Sequence, residues 1–293
     1  MPQHLTYKDE GKLLLPHTNF PHPEERPGGA RLEGRTAPLR LPSVIGHRGA
    51  ARTAPENTLA GLRRAKALGC DWVEFDVRLT GDGALVLCHD PLLDRTTSGS
   101  GLVSAKSLAA IRECDAGSWF DPSFTGERVP TLDEGLLLAA ELDLGANVEI
   151  KSDRGREYAT AAAVAATVER LRGRIPAVLV SSFLPSALAA LRELAPRIPR
   201  GVLFRLIPRG WAELARRLGC TMIGADQRRL RPRRVAEIRD AGYKLAAFTV
   251  NDPARARLLF DWGVTSVFSD APDIIRHVSA GYRPTLVGQG AMR

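Results

Sequence analysis

The chain has 293 residues, and its 44% hydrophobic and 25% charged residues are typical of a globular protein and exclude a disordered or fibrous one. Its length allows one large domain or two small ones. No uncharged stretch approaches the roughly 18 residues of a membrane span, and the N-terminus has no secretory pattern. The four cysteines lack zinc-site spacing and disulfide density, so we expect reduced thiols in a cytoplasmic protein.

The formal net charge of +8 raises the question of nucleic-acid binding, because basic surfaces attract polyanions. Only six of the 41 basic residues are lysines, and the arginines are scattered through helical segments rich in Ala and Leu. The densest run, Arg228–Arg234, contains no aromatic residue. We therefore predict no nucleic-acid partner and expect a small anionic substrate.

Residues 1–42 are rich in Pro and Gly without a hydrophobic period, which predicts an N-terminal arm or a disordered tail. Residues 43–280 are predicted to form one domain, and residues 281–293 a C-terminal tail.

Eight short apolar runs alternate with amphipathic helical segments across the predicted domain. The predicted strands are Val44–His47, Trp72–Val77, Asn147–Ile150, Ala177–Ser182, Gly201–Phe204, Thr221–Ala225, Leu245–Val250 and Thr265–Ser269. The predicted helices cover about 57–68, 132–143, 156–172, 185–194, 210–218, 231–240, 253–261 and 272–279. Because the later connections are long enough for helical crossovers, the strands are predicted to be parallel. The pattern indicates an α/β fold, a (β/α)8 TIM barrel.

One connection is much longer than the others. Residues 78–130 separate the second strand from its helix, where about 2–6 residues would be usual. The segment opens with Thr80-Gly81-Asp82-Gly83, which predicts a hairpin turn centred between residues 81 and 82. We expect a small inserted subdomain over the C-terminal end of the barrel, where active sites of this fold are built.

The second strand has two acidic residues, Glu74 and Asp76, which share one face because side chains alternate along a strand. If that face is the barrel interior, the two buried charges repel each other, and a divalent cation would neutralise them. The alternative is a half-exposed strand with solvated acids.

Further polar residues are predicted at the same end of the barrel. A hairpin centred between residues 81 and 82 would place His89 opposite Glu74. The third strand ends with Glu149 and Lys151, which either join these groups or form a surface ion pair. The first strand ends with His47 and Arg48. Together these groups suit phosphodiester cleavage. Arg48 and Lys151 can bind a phosphate, and two histidines can serve as general acid and base.

The order and spacing of several motifs resemble the glycerophosphodiester phosphodiesterase family from about Val44 to Ile274. These motifs are His47-Arg48-Gly49, Pro55-Glu56-Asn57-Thr58, Glu74-x-Asp76, Thr80-x-Asp82-Gly83, His89-Asp90, Glu149-x-Lys151 and Thr249-Val250-Asn251. The resemblance implies that Glu74, Asp76 and Glu149 bind one Mg²⁺ or Ca²⁺ ion, that His47 and His89 are the acid–base pair, and that Arg48 and Lys151 contact the phosphate. Ser269-Asp270 stands where many relatives have Thr-Asp, a difference expected not to affect the chemistry.

Two other residues, Glu56 and Phe183, have two interpretations each. Glu56 could contact substrate, or be a first-turn acid of a helix whose N-cap is Asn57 or Thr58. Phe183 could line the leaving-group pocket or belong to the barrel core. Asn251 is interpreted as part of a turn.

The predicted function is metal-dependent hydrolysis of glycerophosphodiesters to glycerol 3-phosphate and an alcohol, which could pass through a cyclic 1,2-phosphate. The alternatives are a lysophospholipase D and, outside enzymes, a barrel that binds phosphate ligands. We expect a monomer or a homodimer.

Overall fold

The computed structural model describes residues 39–280 of the chain. Within them, eight parallel strands close into a barrel, because the first strand pairs with both the second and the last. The barrel strands are β1 (Val44–Gly46), β2 (Trp72–Leu79), β4 (Gly145–Ile150), β5 (Val178–Ser182), β6 (Arg200–Phe204), β7 (Met222–Asp226), β8 (Lys244–Phe248) and β9 (Ser266–Ser269). The predicted (β/α)8 TIM barrel is confirmed.

Helices follow the barrel strands and pack outside them. They are α1 (Leu59–Ala67), α3 (Leu132–Glu141), α4 (Glu157–Arg170), α5 (Pro185–Leu194), α6 (Trp211–Leu218), α7 (Pro232–Asp240), α8 (Pro253–Trp262) and α9 (Pro272–Ala280), with a short α2 (Leu108–Arg112) in the long connection. Residues 1–38 of the predicted arm and the predicted tail lie outside the described residues. Within residues 39–280, no helix has the length and apolar character needed to cross a membrane.

The strand β2 shows how the barrel separates its two faces. Val73, Phe75 and Val77 are fully buried in the layer between strands and helices. Glu74 and Asp76 alternate with them and are also buried, on the inner face. The barrel interior below them is filled by a second apolar cluster, against which Leu39, Leu41, Phe183 and Phe248 pack. The interior prediction for the two acids is therefore correct.

The long connection contains a hairpin and a small core of its own. The strand β3 (Leu85–Leu87) pairs antiparallel with β2, and the core lies further along. That core is built from Val86, Cys88, Leu93, Val103, Ile111, Cys114, Ala116 and Val129. The four cysteines of the chain are buried and unpaired, as expected.

The predicted register of the hairpin is wrong by one residue. Val77 pairs with Leu87, and Thr80 N–H donates to the Ala84 carbonyl, so three residues rather than two form the turn. The third, Gly83, has a φ of 86°, which glycine adopts without a steric penalty. The turn is therefore centred on Asp82, and β3 ends before His89, which does not lie opposite Glu74 in the ladder.

Candidate active site

Three carboxylates meet inside the barrel, two from the middle of β2 and one from the C-terminal end of β4. These neighbouring parallel strands place Asp76 beside Glu149 in register. Glu74, Asp76 and Glu149 are all buried, and one ligand oxygen from each lies within 4.8 Å of the others. The alternation along β2 therefore brings together the carboxylates that the sequence singled out.

Burial and mutual repulsion change the pKa values of these acids. Burial raises the pKa of Glu74 well above its usual range, and the charges of Asp76 and Glu149 raise it further. Burial and the charge of Asp76 raise the pKa of Glu149 to about 7. Burial also opposes ionisation of Asp76, but the charges of Lys151 and Arg48 outweigh it and hold its pKa at about 2. Simultaneous ionisation of all three carboxylates is therefore unfavourable with the protein's own cations alone.

These carboxylates suit a hard divalent cation. The Oε1 atom of Glu74 is buried and has no hydrogen-bond partner, so an acceptor remains free in the cluster. Three closely spaced carboxylates offer the oxygen ligands that Mg²⁺ and Ca²⁺ prefer. A divalent cation is therefore the group that best fits the donor set.

A tight turn after β1 carries His47 and Arg48. Gly46 and Gly49 allow it, because a Cβ on Gly46 would lie 2.3 Å from the Gly49 carbonyl oxygen, and Gly49 packs against Gly61 of α1. Arg48 has a φ of 50°, and its backbone N–H donates to Glu74 Oε2 at 2.9 Å. The turn is thereby fixed directly to the carboxylate cluster.

Two cations border the cluster. Arg48 Nε lies 3.3 Å from Asp76 Oδ2, and Lys151 Nζ lies 3.3 Å from Asp76 Oδ1 and also contacts Glu149. Burial lowers the pKa of each base, but the surrounding carboxylates outweigh it and the pKa of each is raised. Both side chains therefore keep their positive charge at the edge of the carboxylate cluster.

Each histidine of the site is paired with a carboxylate. His47 Nδ1 lies 2.6 Å from Asp270 Oδ1, and His89 Nδ1 lies 2.6 Å from Asp90 Oδ1. An ionised carboxylate accepts hydrogen bonds and cannot donate one, so Nδ1 of each ring must donate. The other ring nitrogen, Nε2, takes no part in this hydrogen bond. His47 Nε2 lies 3.9 Å from Glu74 Oε2. Burial lowers the pKa of His89, and the charges of Arg48 and Lys151 lower it further.

The cluster opens into a cavity of about 480 Å³. Of the nine residues predicted for the site, seven line it: His47, Arg48, Glu74, His89, Glu149, Lys151 and Phe183. Asp76 and Glu56 do not line it and contact Arg48 instead. Phe183 packs edge to face on Phe248, and Lys151 Nζ lies 5.3 Å from the centre of its ring. Phe183 thus belongs to both the core and the cavity wall.

Comparison with known proteins decides the family. Residues 47–274 match the model of the glycerophosphoryl diester phosphodiesterase family. The chain belongs to this family. It is 34% identical over 261 residues to a glycerophosphodiester phosphodiesterase of Bacillus subtilis, an alignment that covers 82% of this chain and 87% of the relative.

Solved structures of this family agree. A phosphodiesterase from Oleispira antarctica, solved in complex with the product sn-glycerol-3-phosphate, superposes with a TM-score of 0.78 and 41% identity, covering 82% of this chain and 97% of that one. A glycerophosphodiester phosphodiesterase from Agrobacterium tumefaciens superposes with a TM-score of 0.70 and 31% sequence identity, and the match covers 81% of this chain and 100% of that one.

Several polar residues of this family member hold the site together, although the sequence analysis did not assign them that role. Asn57 is not a helix cap, since Thr58 caps α1. Asn57 Nδ2 instead donates to Asp76 Oδ2 at 3.0 Å, and Asp76 N–H donates to Asn57 Oδ1. Glu56 accepts from Arg48 and Arg95, so both of its oxygens are engaged.

Asp270 and its neighbours correct a second expectation. Asn251 donates to the Asp270 carboxylate at 2.7 Å, and it accepts from the Ser269 hydroxyl and from Asp270 N–H. Asp270 also contacts His47, and Ser269 helps to hold Asn251. That the Ser-for-Thr difference leaves the chemistry unchanged stays a prediction. Asn251 therefore orients Asp270 and is more than a turn residue. The sequence offered one signal of this role: Asn251 and Asp270 each directly follow a predicted strand.

Proposed function

We propose that this protein hydrolyses glycerophosphodiesters to glycerol 3-phosphate and an alcohol. The observation that carries the proposal is one cavity lined by two of the three clustered carboxylates, by two cations and by two histidines that are each paired with a carboxylate. Membership of the family and the product complex of the Oleispira antarctica relative support it. We assign this activity to the predicted domain, residues 43–280.

Arg48 and Lys151 bind the phosphate in this proposal. Arg48 offers a planar fork that matches two phosphate oxygens, and Lys151 offers a compact charge on the other side of Asp76. The buried carboxylates behind them hold both cations in place, so little rearrangement is needed when the substrate arrives.

His47 and His89 move the protons. Asp270 and Asp90 orient the rings through Nδ1, so that Nε2 of each can exchange a proton with the substrate. One histidine removes the proton of the attacking hydroxyl, either of water or of the glycerol itself, and the other protonates the leaving alcohol. On the glycerol route the departing alcohol leaves a cyclic 1,2-phosphate, which water then opens, so both routes consume one water and end with the same products.

Glu74, Asp76 and Glu149 would hold one Mg²⁺ or Ca²⁺ ion. When bound, such an ion neutralises a non-bridging phosphate oxygen and favours ionisation of the attacking hydroxyl. Asn57 fixes the orientation of Asp76, and Arg48 N–H fixes that of Glu74, so the ligands are positioned by the protein itself.

Phe183 and the inserted subdomain are assigned to substrate selection. Phe183 lines the cavity and contacts the alcohol, whereas Glu56 acts indirectly by holding Arg48. The subdomain follows His89 and restricts the size of the alcohol. The cytoplasmic location and the monomeric or dimeric state stay predictions from the sequence.

The experiment is a comparison of three substrates with the pure protein in Mg²⁺ or Ca²⁺. Glycerophosphocholine and glycerophosphoethanolamine should release glycerol 3-phosphate faster than lysophosphatidylcholine releases choline. Faster cleavage of lysophosphatidylcholine would favour a lysophospholipase D, and binding of the diesters without cleavage would favour a phosphate-binding barrel.

A further inference from the structure

Arginines continue outward from the active-site cavity across the ends of β6 and β7. On this side the cavity is lined by Arg205, Asp226 and Arg228. A second cavity of about 550 Å³ shares Arg205 and Asp226 with the first and adds Arg209, Arg229 and Arg231. We call the surface formed by Arg205, Arg209, Arg228, Arg229 and Arg231 the arginine groove.

The arginine groove has little unpaired negative charge beside it, because Glu237, which also lines the second cavity, is paired with Arg233 and Arg234. Asp226 is engaged by Arg228, whose Nη2 lies 2.9 Å from it. Arg231 Nη1 donates to the backbone carbonyls of Arg228 and Leu230. Among residues 39–280, no carboxylate lies within ion-pair distance of Arg205, Arg209 or Arg229. Three guanidinium groups are therefore available to a ligand.

The position of the groove relates it to one part of the substrate. The carboxylates, Arg48, Lys151 and the histidines come from β1, β2, β4 and the hairpin, whereas the groove lies on the opposite wall, at β6 and β7. A phosphate held by Arg48 and Lys151 has glycerol on one side and the alcohol on the other. Glycerol is small and the same in every substrate, so an open-ended groove suits the variable alcohol.

We infer that the arginine groove selects glycerophosphodiesters whose alcohol carries a further anionic group, a phosphate above all. Arginine matches phosphate geometry with paired hydrogen bonds, and several arginines together repel the ammonium group of choline or ethanolamine. This inference rests on the proposed function and specifies its substrate class. The hydrolysis is unchanged, since water supplies the hydroxyl to phosphorus and the proton to the departing alcohol.

The test compares kcat/KM for three diesters whose alcohols differ in charge: glycerophosphocholine, glycerophosphoglycerol and glycerophosphoinositol 4-phosphate. The double variant R209Q/R229Q removes two groove charges without touching the catalytic cavity. Its control, R174Q/R197Q, removes two exposed arginines from the connections that precede β5 and β6, at the other end of the barrel.

For wild type, the inositol phosphate diester should exceed glycerophosphocholine by about 10-fold or more, as expected for charge-assisted hydrogen bonds. R209Q/R229Q should lower kcat/KM for that diester by about 10-fold and for glycerophosphoglycerol by less than about 2-fold. The control should change both by less than about 2-fold. Isothermal titration with inositol 4-phosphate should show weaker binding to R209Q/R229Q than to the control.

Equal kcat/KM values for the three diesters, or equal losses in the two double variants, would overturn the inference. The inference is also overturned if the three kcat/KM values are equal and wild type sediments with phosphatidylglycerol vesicles whereas R209Q/R229Q does not. The groove would then bind a membrane surface. Failure of wild type to cleave any of the diesters would contradict the proposed function, whereas the titration with inositol 4-phosphate tests the groove independently.

Discussion

His47 Nδ1 lies 2.6 Å from a carboxylate oxygen of Asp270, a residue 223 positions later in the chain. The contact exists because β1 and β9 are neighbours in the closed barrel, with Gly46 in register with Ser269. Asn251 holds the other Asp270 oxygen at 2.7 Å. The orientation of one proposed catalytic histidine therefore depends on closure of the barrel.

Replacing Asp270 tests this dependence. D270N keeps the shape but removes the acceptor charge that selects the His47 tautomer, so kcat should fall by about 100-fold with little change in KM. The matched control is D252N, because Asp252 caps α8 and is not among the residues that contact His47. Equal activity of the two variants would contradict the orienting role.

The carboxylate cluster predicts that the substitution E74Q affects thermal stability differently in the absence and in the presence of metal. E74Q removes a carboxylate whose ionisation is opposed by burial and by the charges of Asp76 and Glu149, so at neutral pH the metal-free variant should have a higher Tm than metal-free wild type. Saturating Mg²⁺ or Ca²⁺ should raise the Tm of wild type by about 5 °C, and that of E74Q much less. The control is E141Q on the exposed end of α3. An equal metal-induced rise in wild type and E74Q would argue against Glu74 as a ligand.

Glu56 predicts a pH dependence of stability. Burial would raise its pKa, but hydrogen bonds and charge from Arg95 and Arg48 outweigh burial and lower it. Since the folded pKa is below the unfolded one, ionised Glu56 stabilises the fold above the unfolded pKa, and this contribution is lost as pH falls through the folded pKa.

Denaturant unfolding of wild type and E56Q measures this contribution. The free energy of unfolding should differ by about 2 kcal/mol at neutral pH, and the difference should shrink toward zero in acid, where protonated Glu resembles Gln. E213Q, which breaks an exposed ion pair with Arg216, should show a much smaller difference throughout. A difference between wild type and E56Q that stays constant with pH would contradict the assignment.

The two histidines should respond differently to the leaving group. Choline needs a proton to depart, whereas p-nitrophenol does not, so the general acid matters only for choline. H47A and H89A should each lose about 100-fold or more on glycerophosphocholine, and one of them should be substantially rescued on a p-nitrophenyl phosphodiester of glycerol. Equal losses on both substrates would mean that the histidines are not an acid–base pair.

Local patterns predicted the carboxylate cluster well. Alternation along β2 placed Glu74 and Asp76 on the inner face, and parallel pairing of β2 and β4 brought Glu149 beside them. The hairpin register was missed because the sequence Thr80-Gly81-Asp82-Gly83 permits turns of two or three residues. A shift of one residue in the hairpin register changes which side chains lie opposite each other on the two strands.

Contacts between distant segments could not be predicted in the same way. The contact between Asp270 and His47 depends on how β9 meets β1. Asn57 was one of two candidate caps, with Thr58, because its sequence context is that of a helix start, and its contact with Asp76 could not be read from that context. The densest arginine run, Arg228–Arg234, was weighed only as a nucleic-acid site, and the folded barrel shows that its first residue, Arg228, lines the active-site cavity.

The most direct test of the central claim is the release of glycerol 3-phosphate from glycerophosphocholine by chelated protein, before and after addition of Mg²⁺ or Ca²⁺. If Glu74, Asp76 and Glu149 hold an ion that hydrolysis needs, EDTA should abolish release and the ion should restore it in wild type but not in E149Q. Undiminished release after exhaustive chelation would contradict the three-carboxylate metal site.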